Sequence, residues 1–296
     1  MTSLRVFFSA FAFFIIATPV LYAADQHVSI DFSQSENYVG TNEPLTRMKP
    51  GIVSLAYGIT FDRLYGFNAS FWSGKDQVSY PENDYVLEQD SSGGSLSASW
   101  YLEKWSLNAA ISRSKTENTL TSPKRTAQAD QVQKFREFYV SADYMIQLGQ
   151  LDLRPELGLG FQKGESDSRV NVEISNLKQL DTERQEDEGR YLQFGLSLAY
   201  WLEQGPKWLW QPGLDIVWFN PISGNSSIAQ QRSVRNGRFK GTTSNTREED
   251  ESDASGYAEM SLSAYIDDIS MTGYYSRSFD SQPNTKTLGV SVGFSF

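Results

Sequence analysis

The sequence predicts an all-β protein, a transmembrane antiparallel up-and-down β-barrel of twelve strands with long loops at one end and short turns at the other. Three observations predict it. The last ten residues, Thr287 to Phe296 (TLGVSVGFSF), place Leu288, Val290, Val292, Phe294 and Phe296 on one face of a period-two strand and small or polar residues on the other. Segments with the same period recur along the chain, and the connections between them alternate short and long. Beyond the first residues no stretch resembles a membrane helix, so closed-barrel strands are the remaining way to satisfy a backbone inside a bilayer.

From the start, Met1 to Ala23 carries one charge, Arg5, followed by the apolar run Val6 to Ile16, a break at Pro19 and the small-residue end Leu21-Tyr22-Ala23. This is the n-region, h-region and cleavage site of a secretory signal peptide, giving 1–23 as signal peptide and 24–296 as barrel. A membrane anchor is the alternative, but the run is shorter than the roughly 20 residues a span needs. Strand one is His27 to Phe32, with Val28, Ile30 and Phe32 aligned. A polar loop from Ser33 to Pro50 leads to Gly51 to Thr60 (Val53, Leu55, Tyr57, Ile59), a Phe61-Asp62-Arg63 turn, and Leu64 to Trp72 (Tyr65, Phe67, Ala69, Phe71).

A long loop, Ser73 to Gly94, precedes Ser95 to Leu102 (Leu96, Ala98, Trp100, Leu102). A Glu103-Lys104 turn joins this to Trp105 to Ser112 (Trp105, Leu107, Ala109, Ile111). The loop Arg113 to Lys134 follows, then Phe135 to Ile146 and Leu151 to Phe161, joined by Gln147 to Gln150. Pro155 falls on the apolar phase of the second of these and removes one ladder donor. The acidic loop Gln162 to Gly189 contains Arg169 to Ile174, which extends the hairpin above the membrane. Strands eight and nine are Arg190 to Leu202 and Trp208 to Phe219. The longest loop, Asn220 to Ser255, leads to Tyr257 to Ile266 and Ile269 to Ser276, meeting at Asp267-Asp268, and a loop through Pro283 feeds the last strand.

The count is even and every short turn falls on one side, as a single-chain bacterial barrel requires. With both termini periplasmic, the short turns are periplasmic. A soluble β-sandwich supplies alternating strands, but nothing in that fold confines long loops to one end. The aromatics agree: Tyr57, Trp100, Trp105, Tyr144, Tyr200, Trp208 and Trp210 lie near short turns, and Phe71, Phe138, Phe161, Trp218 and Tyr275 near long loops. Two girdles are what two membrane interfaces demand.

Composition narrows the function classes. The chain has no Cys, so thiolate catalysis and Cys-based metal sites are excluded. A formal net charge of -10 argues against nucleic acid as a partner. The mean hydropathy of -0.44 fits a polar lumen with long wet loops. His27 is the one His, at the start of strand one. It lacks the surrounding Ser or Asp pattern of the outer-membrane phospholipase, omptin-protease and lipid A deacylase families. No catalytic residue, metal or cofactor is therefore expected. A carboxylate-only site, for example Glu156 with Asp143, needs a spacing that sequence does not supply.

The alternating C-terminal strand ending on Phe296 resembles the signal strand of Gram-negative outer-membrane β-barrels. The resemblance implies that Leu288, Val290, Val292, Phe294 and Phe296 are read by the barrel-assembly machinery, and that the protein resides in the outer membrane. The last hairpins, SGYAEMSLSAYIDDISMTGYYSRSF and the final strand, resemble the end of autotransporter translocator barrels. Strand one begins soon after Ala23, so neither a passenger nor an internal helix is expected. Twelve-stranded oligosaccharide porins line their bore with basic residues, whereas Arg154 stands nearly alone here.

The polar phase of the strands is mostly small or hydroxylic. Twelve strands about 4.8 Å apart and tilted about 40° make a cylinder roughly 24 Å across. Asp31, Asp143, Glu156, Asp215 and Glu259, against Arg154, give that lumen an acidic bias, and carboxylate rings favour cations. A small porin-like diffusion channel for ions or small solutes is thus the first expectation. The second is a non-conducting surface barrel, or an autotransporter-translocator-like one, whose long loops bind a partner or lipopolysaccharide. Arg232, Arg235, Arg238, Lys240 and Arg247, ahead of Glu248 to Glu251, are the residues singled out for lipid phosphates, with a solvated mobile loop as the plainer reading.

Overall fold

The computed structural model describes residues 24–39, 46–48, 51–80, 85–122, 127–174, 177–204, 208–236, 239–249, 254–279 and 285–296. The expected signal peptide, Arg238, Asp250 and Glu251 lie outside the described residues, as do the side chains of Arg232, Arg235, Lys240, Arg247, Glu248 and Glu249. The elements are β1 (Ala24–Val39), β2 (Thr46–Met48), β3 (Gly51–Phe61), β4 (Tyr65–Tyr80), β5 (Tyr85–Leu102), β6 (Trp105–Ser122), β7 (Ala127–Tyr144) and β8 (Ile146–Leu148). They continue as β9 (Leu151–Ile174), β10 (Leu177–Tyr200), β11 (Leu202–Gln204), β12 (Trp208–Asn236), β13 (Phe239–Glu249), β14 (Ser255–Ile266), β15 (Ile269–Ser278) and β16 (Lys286–Ser295).

Twelve of these close a barrel. The order runs β10-β12-β14-β15-β16-β1-β3-β4-β5-β6-β7-β9, and β9 pairs back onto β10. Every pairing is antiparallel. The seam joins the first strand to the last, from His27 opposite Ser295 to Glu36 opposite Lys286, and Gln26 and Phe296 exchange two backbone hydrogen bonds of 3.1 and 3.0 Å at its foot. Closure matters physically because an open edge would leave a row of unpaired backbone groups.

Three prolines account for the irregularities of the ladder. A proline cannot donate, so the pairing partner loses its bond there. Between β7 and β8 the ladder skips the residues facing Pro155: Asp143 pairs with Glu156, and pairing resumes at Ile146 with Leu153. Between β10 and β11 it skips the residues facing Pro212. Arg190 pairs with Ser223 while Tyr191 pairs with Pro221, leaving Ile222 as a bulge.

The short connections are tight. Glu103-Lys104 joins Leu102 to Trp105 and Asp267-Asp268 joins Ile266 to Ile269. Their first residues take positive φ, 51° at Glu103 and 50° at Asp267, and Gly149 at 66° does the same in the turn after β8. Such turns match the strand twist. The turn expected at Phe61 to Arg63 sits one residue later, with Phe61 paired to Tyr65.

At the other end the expected loops are largely strand. Ser73 to Gly94, Arg113 to Lys134 and Gln162 to Gly189 continue their ladders as hairpins, and β12 runs on to pair with β13. The correction has a simple cause. Alternating apolar residues mark a strand only where one face touches an apolar medium; beyond that height the same backbone pairing continues with polar side chains on both faces. Thr119 donates to Asp130 at 3.2 Å, Ser226 to Asp187 at 2.5 Å and Lys163 to Glu188 at 2.6 Å, tying neighbouring strands of this rim together.

The two faces are sorted. Outward stand Phe32, Phe67, Leu96, Ile111, Leu157, Phe194, Met260, Leu288 and Phe296, all exposed. The apolar phases assigned from sequence are thus the outward ones. Among the described residues the only large buried hydrophobics are Ile59, Tyr191 and Val217. A chain that wears its large apolar side chains outside, in a continuous band, is built for a lipid solvent. Toward the short turns the band ends in ring pairs: Tyr65 stacks on Trp100 at 6.5 Å, Trp105 meets Tyr144 at 4.8 Å, and Trp208 stacks on Trp210 at 5.9 Å.

Candidate functional site

Two features distinguish this barrel from a bare cylinder: the polar inner face and the rim. The alternation that sends Phe138 and Val140 outward sends Tyr139 inward, and the same holds for Tyr191, Tyr257 and Tyr274. The rings of Tyr139, Tyr191 and Tyr274 lie across glycines of the next strand. A Cβ on Gly158 would come within 2.3 Å of Tyr139, one on Gly160 within 2.0 Å of Tyr191, and one on Gly289 within 2.3 Å of Tyr274. Each glycine is therefore a slot in the wall that accepts a ring. Tyr191 also meets Phe219 edge-on at 5.3 Å, and Phe219 meets Tyr257 at 6.3 Å.

The seated tyrosines reach the carboxylates. Tyr139 donates to Glu156 at 2.5 Å, Tyr274 donates to Asp31 at 3.0 Å, and Tyr191 donates to Glu137. Asn108 donates to Asp143 at 3.0 Å. Three of the five acidic residues singled out from sequence thus accept a hydrogen bond from another strand, Asp143 and Glu156 from the adjacent one and Asp31 from two strands away. The structure sets Asp143 opposite Glu156 and Asp215 opposite Glu259 across the ladder. Arg154 faces Ser197. Like charges directly opposite destabilise a sheet pair, and the donors around Asp143 and Glu156 offset that. Asp31 stands apart on β1, between Ser54 and Ser291.

Several inner residues escaped the sequence reading: Glu137 and the tyrosines at 139, 191 and 274. Their signal was present, since each stands out of phase with the apolar face of its strand, and a glycine faces each of the three tyrosines. At the foot of the barrel Trp201 donates to Asp152 at 2.8 Å and Tyr265 to Gln211 at 2.9 Å, and His27 lies against Gly58. No group of His, Asp or Glu suited to a metal occurs among the described residues.

The terminal strand places Leu288, Val290, Phe294 and Phe296 outward and exposed, with Val292 half-buried in the same phase. On the rim, Lys163 stands beside Glu188 and Lys75 beside Asp90, at 2.6 and 2.5 Å. The adjacent carboxylates raise the affinity of both lysines for their proton, and Lys163 lowers that of Glu188 for its own.

The comparisons with known proteins fit this architecture. The translocator domain of the autotransporter NalP from Neisseria meningitidis matches over 100% of this chain and 97% of its own, with a TM-score of 0.60 at 13% identity. The β-domain of the Bordetella autotransporter BrkA matches over 92% of this chain and 100% of its own, with a TM-score of 0.56 at 10% identity. At such identities the likeness is one of fold. No curated protein matches the sequence. The Autotransporter beta-domain family matches residues 65–276, from the start of β4 into β15 and well over half of the chain. With its closed twelve-stranded barrel and lipid-facing band, the chain belongs to the autotransporter β-domain family and is an outer-membrane β-barrel.

Proposed function

We propose that the protein works as an autotransporter-translocator-like barrel whose strand-built rim, and not a freely open bore, is the working part. The family match over residues 65–276 carries this reading and favours it over the porin-like channel expected first. The inner face supports it: Asp31, Asp143 and Glu156 are engaged by Tyr274, Asn108 and Tyr139, so their charges are held to the wall instead of projecting as a selectivity ring. In this reading residues 1–23 are the secretory signal, both termini are periplasmic and the rim is extracellular. Leu288 to Phe296 is read by the assembly machinery, and no residue is assigned a catalytic role.

The test is conductance of the refolded barrel in a planar bilayer, with reversal potentials in asymmetric salt. The proposal expects no steady cation-selective pore. Steady openings that lose selectivity in an Asp143→Asn, Asp215→Asn variant overturn it and make the lumen the working part.

A further inference from the structure

One patch of the outer wall has chemistry that neither the bore nor the rim uses. At the upper edge of the apolar band, β4, β5 and β6 bound a groove of about 580 Å³ between Phe71, Leu96 and Ile111, with Arg113 and Lys115 at its upper end. The groove exists because Gly94 occupies the outward position between Phe71 and Arg113 and adds no side chain there. The ladder then sets Arg113 opposite Arg136, Lys115 opposite Lys134, and Arg136 opposite Lys163. All share the outward phase of Ile111, Phe138 and Phe161.

Like charges facing each other across a ladder destabilise it, and here three such pairs stand together. Carboxylates answer only part of the charge: Lys115 pairs with Glu117, Lys163 pairs with Glu188 and Glu165 faces Lys134 across the ladder, while Arg113 and Arg136 form no ion pair among the described residues. The height is informative. At about 3.3 Å per residue and a tilt of about 40°, Arg113 lies roughly 20 Å above Trp105, close to the top of an apolar band of about 25 Å. One further step outward the register row turns acidic, with Asp90, Glu117 and Asp167. The cationic surface is thus confined to the level where lipid phosphates lie.

We propose that this patch binds a phosphorylated glycolipid of the outer leaflet, the lipid A of lipopolysaccharide. Acyl chains fill the groove between Phe71, Leu96 and Ile111, and phosphates rest on Arg113, Lys134 and Arg136. Guanidinium groups suit phosphate oxygens in paired hydrogen bonds. A soluble anion has no use for the apolar groove, and a soluble protein cannot reach a wall immersed in lipid. The proposal rests on the extracellular placement of the rim.

Native mass spectrometry of the refolded barrel in detergent micelles tests it without depending on that placement. Diphosphorylated lipid A, dephosphorylated lipid A and inorganic phosphate serve as probes. Wild type is expected to retain diphosphorylated lipid A, and an Arg113→Gln, Lys134→Gln, Arg136→Gln variant to lose about tenfold or more in affinity, a loss of about 1.4 kcal/mol or more. Lys104→Gln, in a short turn, leaves binding unchanged. Heat-modifiable migration checks that each variant is folded; if the triple variant does not fold, the wild-type arms decide. Equal binding of the dephosphorylated lipid, an unaffected folded triple variant, or full displacement by inorganic phosphate overturns the proposal.

Discussion

On the side of β9, β10 and β12 the wall runs 24, 24 and 29 residues, whereas β15 and β16, beside the seam with β1, run 10 each. The short wall is nearly all band: outward from its turns it offers Ile269, Met271 and Tyr275, then Leu288, Val290 and Phe294, and stops. The tall wall carries the same band, from Leu151 to Phe161, and then continues in water on backbone pairing and polar cross-strand contacts. Identical ladder chemistry therefore serves two purposes. Within the band, side chains are chosen by lipid; above it, by their neighbours across the strand.

The sharpest way to break this contrast is one substitution placed within the band and again above it. Val292→Arg puts a cation at the centre of the lipid-facing set of β16, and an arginine near the bilayer midplane is expected to destabilise the barrel by about 2–4 kcal/mol. Val132→Arg stands in the outward phase of β7 above the band, between Glu117 and Asp167, and should stay within about 0.5 kcal/mol. Denaturant unfolding in liposomes compares them; equal costs would erase the distinction between band and rim.

A smaller effect separates filled from empty glycines. Gly160→Ala forces a Cβ to within 2.0 Å of the Tyr191 ring and is expected to destabilise by about 1–3 kcal/mol. Gly273→Ala, on the outer face of β15, meets nothing within 4 Å and should be near neutral, within about 0.5 kcal/mol. Equal changes in the unfolding midpoint would remove the seated rings as a stabilising feature.

The smallest effect is on the rim and depends on pH. Glu188 holds its proton less tightly when folded than its ordinary value of 4.5, because Lys163 lies beside it. The folded state is thus favoured by this pair above pH 4.5, and that contribution disappears as pH falls through the lowered value. Both side chains are well exposed to solvent, which screens the pair, so the change is confined to local opening. Amide exchange of the β9–β10 tip is expected to accelerate on acidification more in wild type than in Glu188→Gln; identical acid responses would remove the pair from the account.

What the sequence disclosed follows the same division. Alternation in TLGVSVGFSF, and in the outward sets around Trp105 and Phe138, made the band and the strand count legible, because lipid imposes a strict two-residue period. The rim carries no such signal, because polar residues such as Thr119 and Asp130 pair across strands without leaving any hydrophobic period. Asp143 and Glu156 were recognisable as inner residues from their phase. Their donors, Asn108 and Tyr139, depend on register between strands, which no single strand encodes. The basic wall is not legible in the sequence for the same reason: Arg113 and Lys134 are the two ends of one expected loop, and only the β6–β7 register sets the charges face to face.

The most direct test uses the absence of cysteine from the natural chain. Gln77→Cys on the rim and Asp268→Cys in the β14–β15 turn are each probed in intact cells with a membrane-impermeant maleimide. An outer-membrane barrel with its tall wall outside predicts labelling at residue 77 at once, and at residue 268 only after the outer membrane is permeabilised. Labelling at 268 with 77 protected, or labelling of both in intact cells, would contradict it.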